Sequence, residues 1–207
     1  MEKTVVITGG QGDIAKAIAG KLEALGGYRV LRPGKTELDV TDITGVGAYF
    51  AGKEVDILIN NAGAVFVQPI GGCDLYKTKL ALDVNLFGVF NCTAAVLKKN
   101  RNAQIINIGS SAATKLHGTW SSYCASKAGV VMATKCWAED GVNTVCLSPG
   151  RTETKMRKGL FPNEDTATLL KPEDFADIVL RAIEGRYKAG AHIDVNVNNV
   201  EALKHEA

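Results

Sequence analysis

A chain of 207 residues with a formal net charge of +2 has the size of one ordinary domain and can bury a substantial core. Its hydrophobic fraction of 46% and charged fraction of 22% are those of a globular protein, which excludes a disordered or fibrous chain. The basic residues are scattered, so charge gives no support to a nucleic-acid or membrane-surface partner, and no apolar run exceeds strand length, so no membrane span is expected.

In chain order, the first apolar strand falls at residues 4–8, which leaves no room for a signal peptide. A glycine-rich turn, a helix at 14–25 and a second strand at 28–31 follow. A short extra strand is expected at 37–40, then a helix at 43–51 and a strand at 55–60. The middle of the chain reads as a long helix at 75–99, a strand at 104–108, a helix at 122–138 and a strand at 142–147. A helix at 173–184 and a strand at 193–197 complete the pattern, with a polar tail from about residue 198. Several strands are rich in Val and Ile without alternation, as expected when both faces of a sheet are covered. Strand alternating with helix predicts an α/β fold, a Rossmann-type doubly wound parallel sheet with helices on both faces. No repeat or linker marks a second domain, so residues 1–207 are expected to form a single dinucleotide-binding domain.

The five cysteines are odd in number and contain no C-x-x-C pair, which favours small buried thiols in a reducing cytoplasm over a disulfide framework. The three histidines lack metal-ligand spacing, and no metal is expected.

The stretch TVVITGGQGDIAKAIA joins a strand, a glycine-rich turn and a helix start. Glycines let a backbone approach a pyrophosphate, and amides at a helix N-terminus attract its charge. Further on come NNAG at 60–63, DVN at 83–85, IGSS at 108–111, YCASK at 123–127 and SPG at 148–150. With these motifs in this order the chain resembles the short-chain dehydrogenase/reductase family over nearly its whole length. The resemblance implies that Thr8, Gly9, Gln11, Gly12, Asp13 and Ile14 in the turn, and Asn61, Ala62 and Gly63 after the third strand, contact a nicotinamide cofactor. Asp39 and Val40 match the pair that edges the adenine, and Pro149, Thr152 and Thr154 match positions near the nicotinamide carboxamide.

The family's turn reads T-G-x-x-x-G-x-G, whereas Asp13 and Ala15 stand here at the second and third glycine positions. Gly10 and Gly12 are expected to restore some of the turn's freedom, and Asp13 to cap the helix. After the second strand there is no room for the usual helix, and no acid stands before Glu37. Arg32 and Lys35 are the basic residues in that segment, which points to NADP rather than NAD.

Tyr123 and Lys127 are four apart on a predicted helix and share one face. A nearby ammonium favours the phenolate and pulls the phenol toward working pH, so Tyr123 is the expected general acid and base. The resemblance implies that Lys127 also holds the nicotinamide ribose, that Ser110 bonds the substrate oxygen and that Asn85 anchors a water in the proton relay. Ser110 precedes Tyr123 by the family's usual interval of thirteen, and Ser111 is the alternative.

The expected activity is NADP-dependent interconversion of a carbonyl and a secondary alcohol. A sugar epimerase or dehydratase, and a catalytically weak dinucleotide sensor, are the alternatives. Arg151, Lys155, Arg157 and Lys158, facing Lys115 and His117, are expected to make a positive pocket mouth suited to an anionic substrate. The segment LFPNEDTATLL, similar to that of relatives from surface-polysaccharide pathways, suggests a sugar-derived one. The resemblance further implies a homodimer or homotetramer built through the two long middle helices.

Overall fold

The computed structural model describes residues 2–206. Six strands, β1 (Lys3–Ile7), β2 (Tyr28–Leu31), β3 (Ile57–Asn60), β4 (Gln104–Ile108), β5 (Thr144–Pro149) and β6 (His192–Val195), form one parallel sheet in the order β2-β1-β3-β4-β5-β6. All six lie within a few residues of their expected places. Helices α1 (Asp13–Leu25) and α7 (Pro172–Ile183) cover one face, where Val5, Ile7, Ile18, Leu22, Phe175 and Val179 share a buried cluster. Helices α2 (Ile43–Phe50), α3 (Leu75–Leu82), α4 (Gly88–Leu97) and α5 (Ser121–Glu139) lie on the other. This is the doubly wound Rossmann-type arrangement.

Four details depart from the sequence reading. Residues 37–40 form no strand: Glu37 accepts a hydrogen bond from the Gly34 amide at 2.8 Å, and the Leu38 amide donates to Gly34 O at 2.9 Å, curling the segment into a turn. Leu38 and Val40 alternate because both point from this turn into the buried cluster beneath α2. The long middle helix runs unbroken over Leu75–Leu97, but α3 and α4 are joined by one π turn, Asp83–Phe87. At 23 residues this helix is long and apolar enough to cross a membrane, which no run of the sequence suggested; here Cys92 and Val96 bury its inner face against the sheet.

The polar tail is instead a helix, α8 (Val200–His205), whose Val200 and Leu203 pack into the same cluster as α7; Ala207 lies outside the described residues. Finally, the thiols are free but not uniformly hidden. Cys92 and Cys146 are buried, whereas Cys136 is exposed on α5.

Candidate active site

Beyond the carboxyl ends of β1, β3, β4 and β5 lies a cleft of about 490 Å³, the place where open parallel sheets take their ligands. Its first wall is the β1–α1 turn. Thr8 Oγ1 accepts from the amides of Asn61 and Ala62, both at 3.0 Å, and Asn61 Nδ2 donates back to Thr8 O at 3.0 Å. The turn is thereby locked to the segment after β3. Gly9 has φ +63°, and a Cβ there would lie 2.8 Å from Ala62 Cα, so only glycine serves. Gly10 and Gly12 do not restore freedom. A Cβ on Gly10 would meet the Arg32 backbone at 2.4 Å, while Gly12, with φ −70°, is the N-cap of α1.

Gly9, Gln11, Gly12, Asp13 and Ile14 line the cleft from this wall, and Asn61, Ala62 and Gly63 line it from the next. Thr8 lies beneath and acts through its hydrogen bonds. Asp13 is no cap: it is the first residue of α1, and its Oδ2 accepts the Lys155 amide at 2.6 Å, tying the turn to a segment 142 residues away. With the cap position held by glycine, the carboxylate points outward, yet at a helix N-terminus it remains favourably placed.

At the end of the cleft beside β2, Lys35, Asp39 and Val40 line it. Thr41 donates to Asp39 from both its hydroxyl and its amide, which holds that carboxyl below the usual range. Lys35 extends into solvent with its Nζ 3.9 Å from Asp39. Arg32 does not line the cleft; its Nη1 donates to Gly10 O at 3.0 Å and braces the turn from behind.

Helix α5 brings Tyr123 and Lys127 to the floor one turn apart. Lys127 is 4% exposed, donates from Nζ to Ile108 O at 2.8 Å, and stands 5.9 Å from the Tyr123 ring centre. Burial among apolar neighbours lowers its ammonium to about 8. For Tyr123 burial raises the phenol and the neighbouring Ser110 hydroxyl pulls the other way, with burial the larger effect. The expected downward pull of Lys127 is not among the influences on Tyr123; the phenol is raised, not lowered, because burial outweighs its polar neighbour. Ser110 also accepts the Ala112 amide at 3.2 Å, capping a 3₁₀ turn that begins at Ser111. Both serines reach the cavity beyond, but the hydroxyl that bears on Tyr123 is that of Ser110. Asn85 sits fully buried in the π turn, where its side chain accepts from Ala64 N at 2.8 Å and donates to Ala64 O at 2.7 Å. π turns recur where a helix must present a side chain out of register.

A second cavity of about 270 Å³ adjoins the cleft, and Tyr123, Pro149 and Thr154 belong to the lining of both. Thr152 faces only this second cavity. Its outer wall is a short helix, α6 (Lys155–Leu160), unforeseen in the sequence and capped by Thr154, whose Oγ1 accepts the Arg157 amide at 3.1 Å. Trp120 stacks on Phe161 at 6.1 Å and meets Tyr123 edge-on at 5.7 Å, so the end of α6 rests on the start of α5.

The positive mouth does not form as expected. Glu164 accepts from Arg157 Nε and Nη2 at 2.6 and 2.7 Å and from Arg151 Nη1 at 3.1 Å. Lys155 lines the cleft and, with Lys158, a separate hollow; Lys115 lines neither cavity, and of the expected set Arg151, Arg157 and His117 line the second one. Sequence reading also missed Asn107, which is fully buried and bonds Asn60 and Thr134 at 2.9 Å each, clamping β3, β4 and α5. Its only signal was an amide inside an apolar strand.

Comparison with known proteins agrees with this geometry. The short chain dehydrogenase family model matches residues 35–165. The chain belongs to this family. It is an NAD(P)-dependent oxidoreductase by that membership. A 3-oxoacyl-[acyl-carrier-protein] reductase of Vibrio cholerae is 30% identical over 94% of this chain and 96% of its own length. A 2,3-dihydro-2,3-dihydroxybenzoate dehydrogenase of Bacillus subtilis is 32% identical over 64% of this chain, a match spanning only 60% of that relative. A galactitol 2-dehydrogenase of Agrobacterium fabrum is 32% identical over 65% of this chain and 62% of its own length. A putative NAD(P)-dependent gluconate 5-dehydrogenase from Beutenbergia cavernae, solved with NADP, superposes with a TM-score of 0.85 at 23% identity over 97% of each chain. Among the described residues no cluster of three or more His, Cys, Asp or Glu side chains could hold a metal.

Proposed function

We propose that this member of the family interconverts a small carbonyl compound and its secondary alcohol with NADP, with Tyr123 as the general acid and base and residues 1–207 acting as one domain. The observation that supports this most is that Tyr123 belongs to the wall shared by the two cavities, with Lys127 on the cleft side and Ser110 on the other. The residues present fit the cofactor: the Gly9 turn lets backbone come close, the cleft is long enough to run from Lys35 to Pro149, and the amides at the start of α1 face it. Gly9, Gln11, Gly12, Ile14, Asn61, Ala62 and Gly63 would hold the dinucleotide, with Lys127 on the ribose, and Pro149 and Thr154 at the nicotinamide end. Lys35 would take the extra phosphate of NADP, beside a turn that Arg32 braces from behind.

When bound, the nicotinamide supplies or accepts the hydride. Ser110 positions the substrate oxygen; Tyr123 gives its phenolic proton to that oxygen in reduction and takes it back in oxidation. A raised phenol keeps Tyr123 protonated at neutral pH, ready to donate. Lys127 supplies positive charge beneath the phenol, and Asn85 fixes the loop at Ala64 that borders the cleft. The exposed apolar side chains of Leu75, Phe87 and Phe90 on the long helix, and of Met132 on α5, support assembly into a homodimer or homotetramer. The free thiols fit a cytoplasmic setting.

The test is titration of NADPH and NADH followed by a screen of carbonyl compounds. Tighter NADPH binding that falls selectively, by about tenfold or more, in Arg32→Ala/Lys35→Ala, together with NADPH consumption on a carbonyl, is the expected result. Equal losses for both cofactors would refute the NADP assignment, and binding without turnover on any carbonyl would favour a dinucleotide sensor.

A further inference from the structure

The second cavity is amphipathic in a way that bears on what enters it. Its uncharged polar groups are Ser110, Ser111 and Tyr123 beside the cleft, with Thr152, Thr154 and His117 elsewhere in the lining. Val65, Trp120, Met156, Leu160 and Phe161 supply much of the remaining wall. The two permanent charges in the lining are Arg151 and Arg157, and Glu164, itself outside that lining, holds both. Arg157 is the more enclosed, 20% exposed against 56% for Arg151, and it spends Nε and Nη2 on the two Glu164 oxygens. That is the fork a substrate carboxylate or phosphate would use. The guanidinium also lies over the Phe161 ring at 4.4 Å, which fixes it against the lid. A volume of about 270 Å³ falls just below the roughly 300–1,000 Å³ usual for ligand sites.

Resting on the carbonyl–alcohol reading above, the geometry points to a small, uncharged, ring-sized carbonyl compound with an apolar face as the substrate class, and to Glu164 as the residue that sets this preference by occupying the Arg157 fork. The carbonyl meets Ser110 and Tyr123, and the ring lies between the Trp120–Phe161 stack and Val65. An anionic analogue must displace Glu164 from Arg157 before it gains a partner.

The experiment compares cyclohexanone with 4-oxocyclohexanecarboxylate, with NADPH in excess, in wild type and Glu164→Gln. In a Trp137→Phe background, where Trp120 is the sole tryptophan, fluorescence follows binding of each compound to the protein alone, so that affinity is read apart from turnover. Wild type should favour the neutral ketone at least tenfold in kcat/KM, and Glu164→Gln should narrow or reverse that ratio by gaining activity and affinity for the carboxylate. Glu164→Gln/Arg157→Ala should lose the gain, which excludes a mere loosening of the lid; melting temperature and NADPH affinity report whether each variant is folded. A wild-type preference for the carboxylate, or a ratio unmoved in a folded Glu164→Gln, overturns the inference while leaving the reductase reading intact. No turnover of either ketone by protein that reduces another carbonyl in the screen overturns the inference alone, and no turnover of any carbonyl, with NADPH bound, overturns both.

Discussion

Along the floor of the site, Lys127, Asn85 and Asn107 are at most 4% exposed, and each has a hydrogen-bond partner supplied by backbone or by another buried side chain. The lid above them, residues 151–170, is held by side chains at the surface: the Arg151–Glu164–Arg157 cluster, the Lys171–Glu153 pair, and Asp13 reaching across to the Lys155 amide. Burial makes the floor's geometry compulsory, because an unpaired polar group there would be costly. The exposed Lys171–Glu153 pair and the exposed Arg151 arm bind weakly and exchange with water, whereas the half-buried Arg157–Glu164 fork is the firmer contact. The contrast assigns chemistry to the floor and selection to the lid, and substitutions in the two regions should differ in kind.

The largest effect belongs to the floor. Tyr123→Phe removes only the proton donor, so turnover should fall by about 10²–10⁴-fold with cofactor affinity within twofold of wild type. Steady-state kinetics and cofactor titration on the same preparation check this; near-normal turnover would remove Tyr123 from the acid–base role.

Lys127→Met separates the cost of the floor from its use. Because burial sets the folded Lys127 at about 8 against an ordinary 10.5, the native state carries an unfavourable ammonium below pH 8. The unfolded chain binds the extra proton between those values, so this group's contribution to stability rises with pH across that window. The variant should therefore lose turnover yet be more stable at pH 7, by up to roughly 3 kcal/mol, with the gap closing between pH 8 and 10.5. Denaturant melts at several pH values would show it. A variant less stable than wild type at pH 7 would mean that the Ile108 contact outweighs desolvation.

This division also marks how far the sequence could be read. Periodicity located all six strands, while Tyr123, Lys127, Asn85 and Ser110 were legible through the motifs shared with the family, whose places the registers of α5, the long helix and β4 keep; Asn107 was missed. The lid was opaque. α6 buries none of its residues, so it leaves no apolar stripe, and nothing local in sequence reveals that Glu164 takes both arginines. Asp13 failed for a similar reason: a cap is a local reading, but its partner lies on the lid. α8 was missed because one buried pair, Val200 and Leu203, is too short a pattern to register as a helix.

The smallest predicted effect lies where the two regions touch. Asp13→Gly removes a carboxylate from the cleft wall and releases the lid from the glycine turn. Cofactor affinity should rise a few-fold, stability should drop by about 0.3–1 kcal/mol, and trypsin should cleave the lid faster at Arg157 and Lys158. Asp13→Asn, which keeps an acceptor for the Lys155 amide, should gain affinity without the added cleavage. Weaker cofactor binding in both variants would show that the latch assists the cofactor rather than opposing it.

The central claim, that the chain moves a hydride from a nicotinamide to a carbonyl carbon, is tested most directly by isotope transfer. The protein is supplied with NADPH deuterated at C4, once on each face of the ring, and an accepted ketone from the screen, and the product is examined by mass spectrometry and NMR. One of the two labelled cofactors should deliver its deuterium to the carbinol carbon and the other should not. NADPH oxidation that leaves no deuterium in the alcohol from either cofactor would contradict the account.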